Sequence, residues 1–142
     1  MEKQKDGAML INRETDYAIR ALRALADGEK KTLAVICDAE GIPQQFGYKI
    51  LKKLAGANYV SIRRGKEGGY TITEAFRGKS LFDLTVIMEN PTDISPCVLP
   101  DYICEKHRAE DKPCKVNKVL KVMQQELTDR LRSINLMELV SE

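Results

Sequence analysis

Residues 64–69 read Arg-Gly-Lys-Glu-Gly-Gly, three glycines in six positions, flanked by two short runs of β-forming residues, Tyr59 to Arg63 and Tyr70 to Thr73. Glycine enters left-handed backbone conformations at little cost, so this segment predicts the tip of a β-hairpin. A lone two-stranded hairpin is not stable in water and must lie on something else. Everything before it has a helical period, so that support must be helical.

The first element is expected from about Thr15 to Ala26, where Ala18, Leu22 and Leu25 share one face and Ile19 and Ala26 widen it. Asp27-Gly28 stops it. Thr32 caps a short helix from Leu33 to Ala39, and Gly41 is placed to close it in a left-handed turn. Pro43 is tolerated at the head of a third helix, which runs to about Ala55. Phe46, Ile50, Leu51 and Leu54 form its apolar stripe; Gln44, Gln45, Tyr48, Lys49, Lys52 and Lys53 lie off that stripe. Helix, helix, tight turn, helix, then hairpin is the winged helix-turn-helix plan. The expected fold is therefore mainly α with a small β-hairpin wing.

The second half is of a different kind. Ser80 with Asp83 resembles a capping box and opens a helix from Leu81 to about Glu89, ended by Asn90-Pro91. A loop over residues 91–114 holds Cys97, Cys104 and Cys114, and irregular loops of that length are often functional. A long helix over 114–133 carries the stripe Val116, Val119, Leu120, Met123, Leu127, Leu131 and Ile134, for which a second subunit is the expected cover. Asn135 is placed to cap a last helix, Leu136 to Val140. The expected division is a DNA-binding domain over 9–79 and a dimerisation region over 80–142.

Net charge is +2, so the whole molecule is no polycation. Between Pro43 and Glu67, however, six cations (Lys49, Lys52, Lys53, Arg63, Arg64, Lys66) face the single acid Glu67, a local excess of five. A local basic stripe is the footprint of a phosphate-backbone contact. The third helix would enter the major groove, where Gln44, Gln45, Tyr48 and Lys49 meet base edges and Lys52 and Lys53 suit phosphate. Arg63, Arg64 and Lys66 on the wing suit the backbone or a narrow minor groove. The plainer reading of the wing cations is solubility of an edge hairpin. An enzyme is not expected: His107 is the lone imidazole, and the glycines do not open a helix as a phosphate loop does. No apolar signal core stands at the N-terminus and no stretch is apolar enough to span a bilayer, so a cytoplasmic location without membrane contact is expected.

The run Gly41-Ile42, Leu54, Tyr59-Val60 and Arg64-Gly65-Lys66-Glu67-Gly68-Gly69-Tyr70 resembles the IscR/NsrR-type (Rrf-type) regulators, whose wing ends Arg-Gly-x-x-Gly-Gly-Tyr. Met9-Leu10-Ile11 with Thr15-Asp16-Tyr17-Ala18, and Leu127-Thr128-Asp129-Arg130-Leu131 with Leu136 and Leu139-Val140, are similar to the ends of that family's chains. The resemblance implies a homodimer on double-stranded DNA with a palindromic operator. It also implies an iron–sulfur cluster, of four-iron or two-iron type, on Cys97, Cys104 and Cys114, although these intervals are longer than is usual there. Asp16 matches the position from which some members donate a fourth ligand across the dimer. Asn117 stands where others have a histidine, and His107 is an alternative within the loop. The implied role is a switch that senses redox, nitric oxide or iron status.

Read from the residues alone, the loop leaves other chemistries open. Three thiolates with His107 suffice for a structural zinc site, though no Cys-x-x-Cys knuckle is present. The cysteines also suit a metal-free thiol–disulfide switch. A protein-interaction module built on the long helix, without DNA, is a further alternative. Asp16 has a plainer use as well, a salt bridge to Arg20 four residues on.

Overall fold

A computed structural model of the chain describes residues 9–106 and 114–142. The first helix, α1 (Arg13–Ala24), is opened by Asn12, whose side chain accepts a hydrogen bond from the Thr15 N–H. Such a cap satisfies one of the donors left unpaired in a first helical turn. The helix therefore starts two residues before Thr15 and ends two before Ala26. Its first turn is polar, so the apolar period that marks it in the sequence begins late. In α2 (Leu33–Glu40) the Thr32 hydroxyl caps the Val35 N–H and Gly41 closes the helix at φ 66°. Pro43 is the extended residue that caps α3 (Gln44–Gly56), one place before the helix proper.

These three helices bury Ala18, Ala21, Leu22 and Leu25 against Ile36, Cys37, Ile50, Leu51 and Leu54. Where α2 crosses α3, a Cβ on Gly47 would lie 2.5 Å from the Cys37 sulfur. Cys37 is thus a small core residue seated on a glycine, which lets the two helices approach. Burial pushes its thiol above the ordinary range, as desolvation disfavours thiolate.

Strands β1 (Val60–Arg63) and β2 (Gly69–Ile72) pair antiparallel, with Val60 opposite Ile72 and Arg63 opposite Gly69. Gly65 sits at φ 107° in the tip. The hairpin has a third partner: Tyr70 and Lys31 exchange backbone hydrogen bonds of 2.8 and 3.1 Å. A Cβ at Gly69 would come within 2.8 Å of the Lys31 carbonyl oxygen, so close backbone approach requires glycine there. A 3₁₀ turn at Glu74–Gly78, absent from the expectations, follows and buries Phe76 against the ring of Tyr59, 5.6 Å between centroids.

Helix α4 (Leu81–Ile87) has the full Ser80–Asp83 capping box, and ends two residues short of Glu89. Within the cysteine loop lies a 3₁₀ turn at Pro96–Val98. Cys114 caps the long helix α5 (Lys115–Ser133), and Asn135 caps α6 (Leu136–Val140). The chain then returns to its first half. The Leu136 N–H bonds to the Lys79 carbonyl and the Leu81 N–H to the Ile134 carbonyl, each at 2.9 Å. Leu131, Leu136 and Val140 enter the same core as α1, so burial is continuous across residue 79. The other end of α5 is not covered: Val116, Val119, Val122 and Met123 are half or more exposed. No described helix is long and apolar enough to cross a membrane.

Candidate nucleic-acid interface and cysteine cavity

Helix α3 faces two ways. Gly47, Ile50, Leu51 and Leu54 turn inward, while Gln44, Gln45, Tyr48, Lys49 and Lys52 are exposed. The recurrence of core positions every three to four residues leaves this outer stripe continuous over more than two turns. On the wing, Arg63, Arg64 and Lys66 are exposed at and beside the glycine tip. Tyr70 links the two groups. Burial pushes its phenol above the ordinary value; neighbouring Tyr48 of α3 adds to the shift, and Arg64 of the tip opposes it. One side chain thus lies within electrostatic reach of both the third helix and the wing.

The lysines of α3 are not equivalent. Lys49 reaches a carboxylate oxygen of Glu14 at 3.2 Å, and Lys53 reaches the other at 3.6 Å. Lys53 is also 3.9 Å from Glu89. Lys52 makes no ion pair among the described residues. Lys53, expected with Lys52 on phosphate, is instead half-buried between acids.

Cys97, Cys104 and Cys114 line one cavity of about 610 Å³, together with Tyr102, Asn117 and Lys121. All three are free and partly exposed. The Cys97 sulfur lies 3.0 Å from the Ser95 hydroxyl. Its thiol is held below the ordinary range, first by the Ser95 hydrogen bond, then by Asn117, with Lys121 a smaller contribution. Stabilised thiolate is the form that ligates metals and attacks electrophiles. Among the described residues, no three His, Cys, Asp or Glu side chains are gathered as a metal-binding group. Three thiols on one cavity wall fit the donor type of an iron–sulfur cluster, but within the described residues they are not drawn together as a ligand set and no fourth donor joins them. Asp16 is 3.1 Å from Arg20 in the i, i+4 salt bridge and is not among the residues that line this cavity. His107 lies outside the described residues.

Three amides that the sequence does not reveal as structural fasten this region. The Asn117 side chain donates to the Cys97 carbonyl at 2.8 Å, and the Asn117 backbone N–H donates to the Cys114 sulfur at 3.4 Å. Gln124 accepts from the Ile94 N–H at 2.7 Å and donates to the Thr92 carbonyl at 3.0 Å. Asn90, buried at the end of α4, accepts from the Asn12 N–H and donates to the Leu10 carbonyl, at 2.9 and 2.8 Å. Apart from the Asn117 N–H on Cys114, a local cap, each of these partners is 20 or more residues away, so no local signal marks them.

Comparison with known proteins gives the same architecture. A family model described as "Rrf2: Iron-dependent Transcriptional regulator" matches residues 11–142. A Rhodobacter capsulatus protein that bears the name of an rrf2-like HTH-type transcriptional regulator is 32% identical over 95 residues, 63% of each chain. Protein aau3 of Rhizobium meliloti is 32% identical over 91 residues, 63% of this chain and 59% of its own. The matched segment thus spans about three fifths of the length of these relatives. Among solved structures, CymR (YrzC), the global cysteine regulator of B. subtilis, superposes with a TM-score of 0.71 at 17% identity, over 99% of this chain and 97% of its own. IscR of T. potens gives 0.68 at 16% identity, over 93% and 86%. At such identities the structures establish a shared fold.

Proposed function

This chain belongs to the Rrf2 family of transcriptional regulators, and on that premise we propose that it binds a palindromic DNA operator as a homodimer. The observation that carries the reading is the continuous exposed face of α3 opposite its buried stripe, together with the exposed cations at the tip of the hairpin that follows. A helix and a hairpin that present Gln44, Gln45, Tyr48, Lys49 and Lys52 together with Arg63, Arg64 and Lys66 on adjoining surface can enter a major groove and the flanking minor groove at once. The bare apolar end of α5 at Val116, Val119 and Met123 supports the dimer, because a helix this apolar on an exposed face is covered in a stable protein. The test is binding to duplex DNA across a range of salt. Several phosphate contacts require affinity to fall steeply with salt; a flat response contradicts the reading.

The finer reading is that Cys97, Cys104 and Cys114 hold an iron–sulfur cluster, with Asp16 of a second subunit as the fourth donor. It is supported by the shared cavity and by the thiolate-favouring surroundings of Cys97. When bound, the cluster would supply a centre sensitive to oxidants, nitric oxide or iron supply. The chain's own part is to fix the loop: Asn117 orients the Cys97 and Cys114 ends of the loop, and Gln124 pins Thr92 and Ile94. Asp16 must leave Arg20 to take part. Anaerobically purified protein should carry iron and sulfide with visible charge-transfer absorbance; colourless, iron-free protein contradicts it. The second reading, a metal-free thiol switch, is favoured by the same Ser95–Cys97 contact and predicts colourless protein whose cysteines form a disulfide on oxidation.

A further inference from the structure

Resting on the DNA-binding reading, we infer that Glu14 is an electrostatic brake on sequence-independent binding, acting by holding the two α3 lysines, Lys49 and Lys53, that would otherwise present two free positive charges to the duplex. An acid in the first turn of α1 has an ordinary use, since it complements the positive end of the helix dipole. The Glu14 carboxylate is used differently. Its two oxygens lie across the interhelix gap at 3.2 Å from Lys49 and 3.6 Å from Lys53, and its side chain is only 28% exposed while that of Lys49 is 62% exposed. Glu89 adds a second acid at 3.9 Å from Lys53. Before any duplex arrives, two of the three lysines on α3 are already neutralised, and Lys52 is not.

The consequence follows from how phosphate contacts gain free energy. A lysine that meets the backbone releases condensed counterions, and this term is blind to sequence. A lysine held by Glu14 must first give up or share its carboxylate, which then faces the phosphates and is repelled. Glu14 therefore subtracts from the sequence-blind part of binding and leaves the base-edge contacts of Gln44, Gln45 and Arg64 a larger share. Discrimination gained through an unfavourable element of this kind is a common way to build specificity. The effect on folding is small, because the shorter contact, Lys49 to Glu14, is open to solvent and ion pairs of that kind contribute little to stability.

The experiment is fluorescence anisotropy of a labelled duplex of mixed sequence against wild type and Glu14→Gln over a salt series. Glu14→Gln should bind roughly tenfold more tightly at low salt, with a log–log salt slope steeper by about one to two, one for each lysine freed. In a Lys49→Gln/Lys53→Gln background the same change should give a clearly smaller gain and no change of salt slope, since only the carboxylate's own repulsion is left to relieve, and thermal melting of Glu14→Gln should stay close to wild type. Equal or weaker binding by Glu14→Gln overturns the inference. So does an equal gain in the double-lysine background, which would mean a general charge effect. Failure of both wild type and Glu14→Gln to bind any duplex at low salt would overturn the DNA-binding reading itself, and the brake with it.

Discussion

Tyr70 and Lys31 hydrogen-bond to each other through their backbones in both directions, at 2.8 and 3.1 Å, so the wing is pinned to the residue that leads into α2. The hairpin is in this way a fixed extension of the helical core. Gly69 makes the approach possible, with space for a Cβ closed by the Lys31 carbonyl and the Lys30 side chain. Gly69→Ala should push the hairpin off its third partner. The expected loss of stability is about 1–3 kcal/mol, the scale of overpacking, with DNA affinity falling further than stability alone explains. Urea denaturation and anisotropy on the same preparation measure the two effects.

Arg64 lies at the exposed tip, against no acid among the described residues, and within reach of Tyr70. Arg64→Ala should weaken duplex binding by about 1–3 kcal/mol, the scale of one good base contact, and leave the melting temperature unchanged. Unchanged affinity would show that the wing does not engage DNA.

Val119 and Met123 stand on the uncovered half of α5, 52% and 50% exposed. If a second subunit covers them, a charge introduced at Val119 is buried without a partner. Val119→Glu should then destabilise the dimer by roughly 3 kcal/mol or more and give monomers in sedimentation at micromolar concentration. A dimer that persists unchanged places the subunit interface elsewhere.

Tyr59 is 1% exposed, and its hydroxyl has no hydrogen-bond partner among the described residues. Burial, and then Asp83, raise its phenol well above the ordinary value. Below about pH 10 the phenol is protonated whether the chain is folded or not, so it makes stability no function of pH there. Above that value the unfolded chain ionises first, the folded chain keeps its proton, and stability falls as pH rises. Tyr59→Phe removes both the unpaired hydroxyl and this alkaline loss. It should be neutral or stabilising by about 1 kcal/mol near neutral pH, and progressively more so at higher pH, in denaturation titrations.

The elements that the sequence reveals are those whose signals are local. Thr32 and Gly41 bracket α2, Ser80 and Asp83 open α4, and Asn135 opens α6, because a cap acts on an N–H three residues away. The start of α1 at Arg13 was less legible, since Asn12 caps a polar turn that precedes the apolar stripe. The 3₁₀ turn around Phe76 is too short to show a period. The outer face of α3 could be read by subtraction from its core stripe. What could not be read is whatever depends on a distant partner: Lys31 against Tyr70, Glu14 against Lys49, Asn90 against Asn12, and the placement of the three loop cysteines on the wall of one cavity.

The central claim is that α3 and the wing meet DNA together, once from each of two subunits. The most direct measurement is selection of binding sites from a random duplex pool, followed by hydroxyl-radical footprinting of the winner. The account predicts an inverted repeat whose half-sites are centred about one helical turn apart, or a multiple of it, with protection extending into the flanking minor grooves. A pool that enriches no inverted repeat, or a footprint confined to a single half-site, would contradict it.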